Sequence, residues 1–239
     1  MTARIALNNV SRVHGEGHTA VVALNDVTFS VEPGEMVAVM GPSGSGKTTL
    51  LSLVGGLDFP TSGTVTVEGF DLGELSVSEL AQLRRRRIGY VFQQYNLIDV
   101  LTAAENVALP LDLDGIDPDY TRQAVGEALD SVGLASLADR FPDDLSGGEQ
   151  QRVAIARAVV AERTVVLADE PTGALDSVTG ENVLRMLRER CETGTAVVLV
   201  THDPRFAAWA DRIVFLRDGR IADESAPSGV GGLLVIPNR

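Results

Sequence analysis

Short apolar runs at residues 36–40 (Met-Val-Ala-Val-Met), 88–92, 164–168 and 196–201 alternate with polar or glycine-rich stretches. Each is too short for a helix and reads as a strand, with 36–40 and 164–168 fully buried. Residues 5–10, 27–31 and 63–67 are further strand candidates and suggest an antiparallel portion early in the chain. Helical patterning begins after residue 48 and again at 152–158, Arg-Val-Ala-Ile-Ala-Arg-Ala. Between about 94 and 158 the pattern is mostly helical, as in 120–129, with a turn-forming break from Asp112 to Pro118. No internal repeat or low-complexity block interrupts this order. Residues 225–232, rich in Ser, Gly and Pro, read as a flexible linker to a short apolar end.

Composition narrows the class. A chain of 239 residues with 44% hydrophobic side chains can bury a substantial core and is not disordered throughout. The first ten residues lack the apolar stretch of a signal peptide. No apolar run approaches the ~18 residues that a membrane-spanning helix needs. The expectation is a cytoplasmic protein whose membrane role, if it has one, depends on a partner. The single cysteine, Cys191, rules out an internal disulfide and a thiolate metal cluster and reads as a small side chain near a helix end. A net charge of −13 argues against nucleic acid as a partner. The one concentrated basic run, Arg84-Arg85-Arg86-Arg87, reads as a solvated helix end or a docking surface for an acidic partner. Of the 20 basic side chains only Lys47 is a lysine, so a compact ammonium is needed at that position.

Lys47 lies in Gly41-Pro42-Ser43-Gly44-Ser45-Gly46-Lys47-Thr48, directly after the strand at 36–40 and before a helix opening at Thr49. This is G-x-x-x-x-G-K-[ST] in the strand–loop–helix setting that the motif requires. Glycines let the backbone turn its N–H groups inward, and the helix N-terminus adds partial positive charge for phosphate. Lys47 reaches the β- and γ-phosphates, and the Thr48 hydroxyl is a ligand for Mg²⁺. The run at 164–168 ends in Asp169-Glu170-Pro171. A carboxylate at the carboxyl end of a strand lies where open α/β sheets bind ligands. Asp169 is placed to hold Mg²⁺ through water, and Glu170 to polarise an attacking water.

Leu145-Ser146-Gly147-Gly148-Glu149-Gln150-Gln151-Arg152 separates this chain from other phosphate-loop enzymes. Locally it is a capping box, with Ser146 as N-cap and Glu149 three residues on. Its glycines also expose bare N–H groups to an anion. With this segment the chain resembles the ABC ATPase family, whose signature it matches. The resemblance covers roughly residues 5 to 222. It implies a Q-loop glutamine at Gln93, a D-loop at Gly173-Ala174-Leu175-Asp176 and a switch histidine at His202. Three stretches, 55–63, 92–97 and 167–173, look like the branch of lipoprotein-release, macrolide-export and cell-division ATPases. In one departure, the adenine-stacking position, usually aromatic and often tyrosine, falls on His14.

The fold so implied is α/β: a P-loop NTPase core of mixed sheet with an N-terminal antiparallel portion and an inserted α-helical subdomain. The expected boundaries of this single ATPase domain are 1–93 and 159–222 for the core, 94–158 for the helical subdomain and 223–239 for a tail. The resemblance further implies ATP and Mg²⁺ as ligands, with Gly41 to Thr49 and His14 binding ATP, and Thr48, Gln93 and Asp169 on the metal. Glu170, His202 and Gln93 serve hydrolysis. Ser146, Gly147, Gly148 and Glu149 act in trans on the nucleotide of a second copy, with Asp176 alongside. The implied partners are that second copy, in the ATP-bound state, and a separately encoded permease with a large extracytoplasmic domain on the inner face of the membrane. Alternatives are a cell-division or signalling complex with a non-transporting permease, and a soluble relative acting on nucleic acid. The single cassette and acidic balance disfavour the last.

Overall fold

The computed structural model describes residues 2–225. An N-terminal pair, β1 (Ile5–His14) and β2 (Val21–Val31), is followed by β3 (Met36–Met40), α1 (Lys47–Val54), β4 (Ser62–Val67) and β5 (Phe70–Asp71). Then come α2 (Val77–Arg87), β6 (Ile88–Val91), α3 (Ala103–Asp112), α4 (Pro118–Ser131) and α5 (Gly147–Val159). The chain continues through β7 (Val165–Asp169), α6 (Ser177–Glu192), β8 (Ala196–Val200), α7 (Pro204–Ala207), β9 (Arg212–Arg217) and β10 (Arg220–Ser225).

The strands form two sheets. One is antiparallel, in the order β2-β1-β4-β5; the other runs β10-β9-β3-β8-β7-β6 and is parallel except for β10. This agrees with a mixed core carrying an antiparallel N-terminal portion. Side chains alternate across a strand, and here the alternation feeds two cores. Val37, Val39, Val165, Leu167, Val198 and Val200 join α1 and the antiparallel sheet. Met36, Ala38, Val166, Ala168, Val197 and Leu199 join α3, α4, α5 and α6. Both faces are covered, which is why these strands read as continuous apolar runs rather than alternating ones. Leu167, fully buried, would cost about 2–5 kcal/mol if cut to alanine.

Helix starts are written locally. Ser76 with Glu79, Thr102 with Glu105 and Ser146 with Glu149 form three reciprocal capping boxes, at α2, α3 and α5. Asp117 caps α4 with Pro118 in its first turn, and Asp176 caps α6. The turn foreseen between Asp112 and Pro118 separates α3 from α4. Gly89 lets β6 approach α5: a Cβ there would overlap the Ala158 carbonyl.

Several expectations need correction. Helix α1 begins at Lys47, two residues before the foreseen start; of α2 only the basic end was foreseen, and β5, β9 and β10 were not foreseen as elements. Strand β10 continues to Ser225, so the sheet extends past residue 222; the linker reading for the tail otherwise falls at 226–239, outside the described residues. The arginine run ends α2 as expected, and Arg86 and Arg87 are exposed, but three of its side chains also find partners within the chain. Arg84 donates to the Gly56 carbonyl at 2.7 Å, and Arg86 and Arg85 lie 2.6 and 3.7 Å from Asp114. Those contacts tie α2 to the segments that follow α1 and α3. Cys191 is buried in the last turn of α6, where burial pushes its thiol up to about 12.

Candidate active site

The phosphate-loop motif leaves β3 at its carboxyl end and enters α1. The loop is shaped from the far end of the sequence. Gly46 has φ +104°, and a Cβ there would overlap the Ala23 carbonyl on β2. Gly219, in the β9–β10 turn, donates its N–H to the Ser45 carbonyl at 3.1 Å and accepts from Asn25 N–H at 2.8 Å. Helix α1 has no side-chain cap and no acidic residue in its first turn, so its leading amides are free for an anion. Pro42, Ser43 and Gly44 are exposed on the rim, Ser45 is buried, and Gly41 and Thr49 are half-buried. Lys47 folds over the loop, its Nζ donating to the carbonyls of Gly41 and Pro42, both at 2.8 Å.

Asp169 closes β7 beside this loop. The Thr48 hydroxyl donates to its Oδ2 at 2.8 Å. Asp169 is only 4% exposed, and burial raises its pKa despite the Thr48 bond and the Lys47 charge. A buried carboxylate whose charge is disfavoured, paired with a hydroxyl, is a donor set that suits a hard cation. Gln93, just beyond β6, is exposed. Among the described residues no group of three or more His, Cys, Asp and Glu side chains could hold a metal by itself. A cation at Thr48 and Asp169 would therefore draw its remaining ligands from water, an amide or phosphate oxygens.

Glu170 follows with φ +50°, an uncommon backbone conformation for glutamate. Its amide donates to the Val200 carbonyl at 3.0 Å, which locks the residue against the end of β8. His202, two residues past β8, brings Nδ1 to 2.9 Å from Glu170 Oε1. That hydrogen bond, followed by the carboxylate's charge, raises the His202 pKa although the ring is largely exposed. Structure thus brings Lys47, Thr48, Asp169, Glu170 and His202 to one end of the parallel sheet.

It does not bring the signature there. Among the described residues no hydrogen bond joins Ser146–Glu149 to the phosphate loop of the same chain. The Glu149 carboxylate accepts from the Ser146 N–H at 2.8 Å and from its hydroxyl at 2.7 Å, bonds that hold its pKa below the usual range. Gly147 and Gly148 N–H groups find no partner among the described residues. Asp176 accepts from Val178 and Thr179 amides as the cap of α6. His14 is exposed at the end of β1, opposite Val21, with Ala23 two residues along β2 touching the loop. Sequence reasoning missed Gly219 and Arg157. Their roles depend on partners remote in the chain, and no local spacing announces them.

A glycine-rich loop opening a helix, beside a buried strand-end carboxylate in a parallel sheet, defines a P-loop nucleotide-binding fold. A family profile described as ABC transporter matches residues 24–173. The macrolide export ATP-binding/permease protein MacB of Salmonella choleraesuis is 48% identical over 221 residues, covering 92% of this chain and 34% of that protein. MacB of Photorhabdus laumondii is 46% identical over 225 residues, covering 94% and 35%. The chain thus spans about a third of the length of the curated relatives it matches. A solved structure, described as a dimeric post-hydrolysis state of the ATP-binding cassette MJ0796 bound to ADP and Pi, superimposes with a TM-score of 0.90. It is 43% identical, and the match covers 94% of this chain and 99% of that one. The chain belongs to the ABC transporter family and folds as its ATPase cassette.

Proposed function

We propose that two copies of this chain close head to tail around two MgATP, hydrolyse them, and thereby drive a membrane permease. The observation that carries this reading is the distribution of groups: one chain holds Lys47, Thr48, Asp169, Glu170 and His202 together, while its Gly147 and Gly148 amides, unpartnered among the described residues, make no bond to its own loop. A second chain completes the site.

In this reading the loop amides from Gly41 to Thr49 and the Lys47 ammonium take the β- and γ-phosphates. His14 lies under the adenine. Thr48, Asp169 (through water) and Gln93 hold Mg²⁺, which when bound neutralises phosphate charge and aligns the γ-phosphoryl group. Glu170 accepts the proton of the attacking water as its oxygen bonds to the γ-phosphorus and the bond to ADP breaks. His202 orients that carboxylate and lends positive charge near the departing phosphate. Ser146, Gly147 and Gly148 of the second copy grip the same γ-phosphate, with Glu149 and Asp176 at the seam. Loss of the shared anion reopens the dimer.

The permease is proposed to be a separate polypeptide with a large extracytoplasmic domain, which places the cassette on the cytoplasmic face of the membrane. The likeness to MacB proteins, whose name joins ATP-binding and permease functions, supports a membrane partner. The segment Tyr95, Asn96 and Leu97, just past Gln93, is proposed to lie on the permease side. The test uses Glu170→Gln, which keeps the shape but cannot act as a base. Hydrolysis should fall by about 10² or more, and ATP should convert a monomer into a stable dimer, read by light scattering after size exclusion. Ser146→Arg in that background should abolish the dimer. A Glu170→Gln chain that stays monomeric under saturating MgATP, with its permease present, sinks the reading.

A further inference from the structure

Arg157 occupies the last turn of α5 between the buried Ala156 and Ala158. An arginine so placed ordinarily pairs with a carboxylate or extends into water. Arg157 does neither. Among the described residues it enters no ion pair. Its Nη1 donates to the Asn96 carbonyl at 2.6 Å and its Nη2 to the Tyr95 carbonyl at 2.7 Å. Burial lowers its pKa, as expected of a cation half withdrawn from water without a counter-charge.

The two acceptors are unusual in themselves. Tyr95 has φ +41° and Asn96 φ +53°, consecutive left-handed positions that non-glycine residues rarely adopt. Such a pair persists only where its surroundings impose it. A planar guanidinium fork spans two adjacent carbonyls; an ammonium would serve them less well. The other end of α5 lies beside the same residue: a Cβ built on Gly147 would come within 3.1 Å of the Tyr95 hydroxyl oxygen. The Tyr95 carbonyl is thus held by the last turn of α5, and its ring lies against the first. Gln93 is two residues ahead.

We propose that Arg157 is a positioning residue: it fixes the turn after Gln93 to α5, so that Gln93 and the signature amides at Ser146–Gly148 move as one body. The inference rests on the proposed ATPase cycle, in which Gln93 must reach the metal as the signature reaches the second nucleotide. A merely structural role would show as lost stability alone, because an apolar chain leaves the Tyr95 and Asn96 carbonyls without this donor; a positioning role shows in turnover.

The experiment is a double-mutant cycle on the purified full chain, reading steady-state hydrolysis of MgATP. Arg157→Met should lower kcat about tenfold or more with KM changed less than about threefold, because the interaction serves the turnover arrangement rather than ground-state binding. In the Gln93→Ala background the same substitution should cost less than about twofold more, since the turn it positions no longer carries the glutamine. Arg157→Lys should fall between, with one carbonyl still engaged. Arg157→Met with kcat within twofold of the parent overturns the proposal, and so does a loss that multiplies in full on Gln93→Ala. Should Arg157→Met fail to fold, the cycle run with Arg157→Lys decides by the same rule. A parent chain with no ATPase strikes at the proposed function itself and takes this inference with it; an active parent with multiplicative losses removes only the inference.

Discussion

Helices α1 and α5 both begin beside glycines, and their first turns are built in opposite ways. At α1 no side chain caps the amides and no acid stands in the first turn; the Lys47 ammonium folds over the loop, and the Asp169 carboxylate engages the Thr48 hydroxyl rather than an amide. At α5 the Glu149 carboxylate already binds the Ser146 amide and hydroxyl, leaving Gly147 and Gly148 as the open donors. Both ends carry the partial positive charge of a helix N-terminus. Only the first has amides to which no carboxylate is bonded. A phosphate can therefore settle at α1 within one chain. At α5 it must approach a fixed carboxylate, which favours contact only with a phosphate whose charge is already shared with a lysine and a metal. The difference explains, in the proposed cycle, why one helix end binds nucleotide and the other answers to nucleotide bound elsewhere.

Removing the charge that makes α1 attractive should have the largest effect. Lys47→Ala is expected to weaken MgATP binding by about 10² or more, as lost charge-assisted hydrogen bonds dictate, and titration calorimetry would read it. Lys47→Arg should fail as well, because the site fits a compact ammonium seated 2.8 Å from two carbonyls rather than a planar fork. Retention of parental affinity by the arginine variant would refute this account of the lone lysine.

Neutralising the carboxylate at α5 should act in the other direction, and more gently. Glu149→Gln keeps a capping-box side chain and removes the charge facing an incoming phosphate. ATP-driven dimerisation in the Glu170→Gln background should tighten by about threefold to tenfold, in line with one exposed charge near a helix end, while the melting temperature hardly moves. Sedimentation would measure the shift, and a weaker dimer would show that Glu149 attracts rather than repels its counterpart.

The smallest effect concerns His202. Its hydrogen bond to Glu170 raises its pKa above the ordinary histidine value of about 6.5. A raised folded-state pKa means that the pair's stabilisation is complete below the unfolded value and is lost as pH rises through the folded one. In an NMR titration His202 should lose its proton at higher pH than an ordinary histidine, and Glu170→Gln should bring it back down. A His202 that titrates normally in the parent would break the pairing seen here.

How much of this was legible depends on how local each signal is. The phosphate loop, the Asp169-Glu170 strand end and the α5 cap are written in consecutive residues, so spacing alone reveals them. The alternating identities of β7 and β8 could not be split into two cores, because both faces are apolar. Capping boxes at Ser76 and Thr102 carry the same S/T-x-x-E spacing as Ser146 and go unnoticed only because no glycine pair follows them. The hairpin of β9 and β10 mixes arginine, aspartate and aliphatic residues and gives no clear period. The arginine run looked solvated because its acceptors, Gly56 and Asp114, are about 30 residues away. Arg157 is hidden for the same reason.

Strand β3 lies between β8 and β9, and Gly41 and Ser45 rest against Leu216 and Gly219. Protein synthesis delivers these pieces in the wrong order. The motif leaves the ribosome first, and the residues that hold its shape follow roughly 170 positions later, about ten to thirty seconds at ordinary translation rates. Until then the growing polypeptide has the glycines and the lysine but not the flanking strands that mould them. Closing such a sheet requires contacts distant in sequence, which form late. The loop therefore takes its final shape only when the last strands of the sheet have docked.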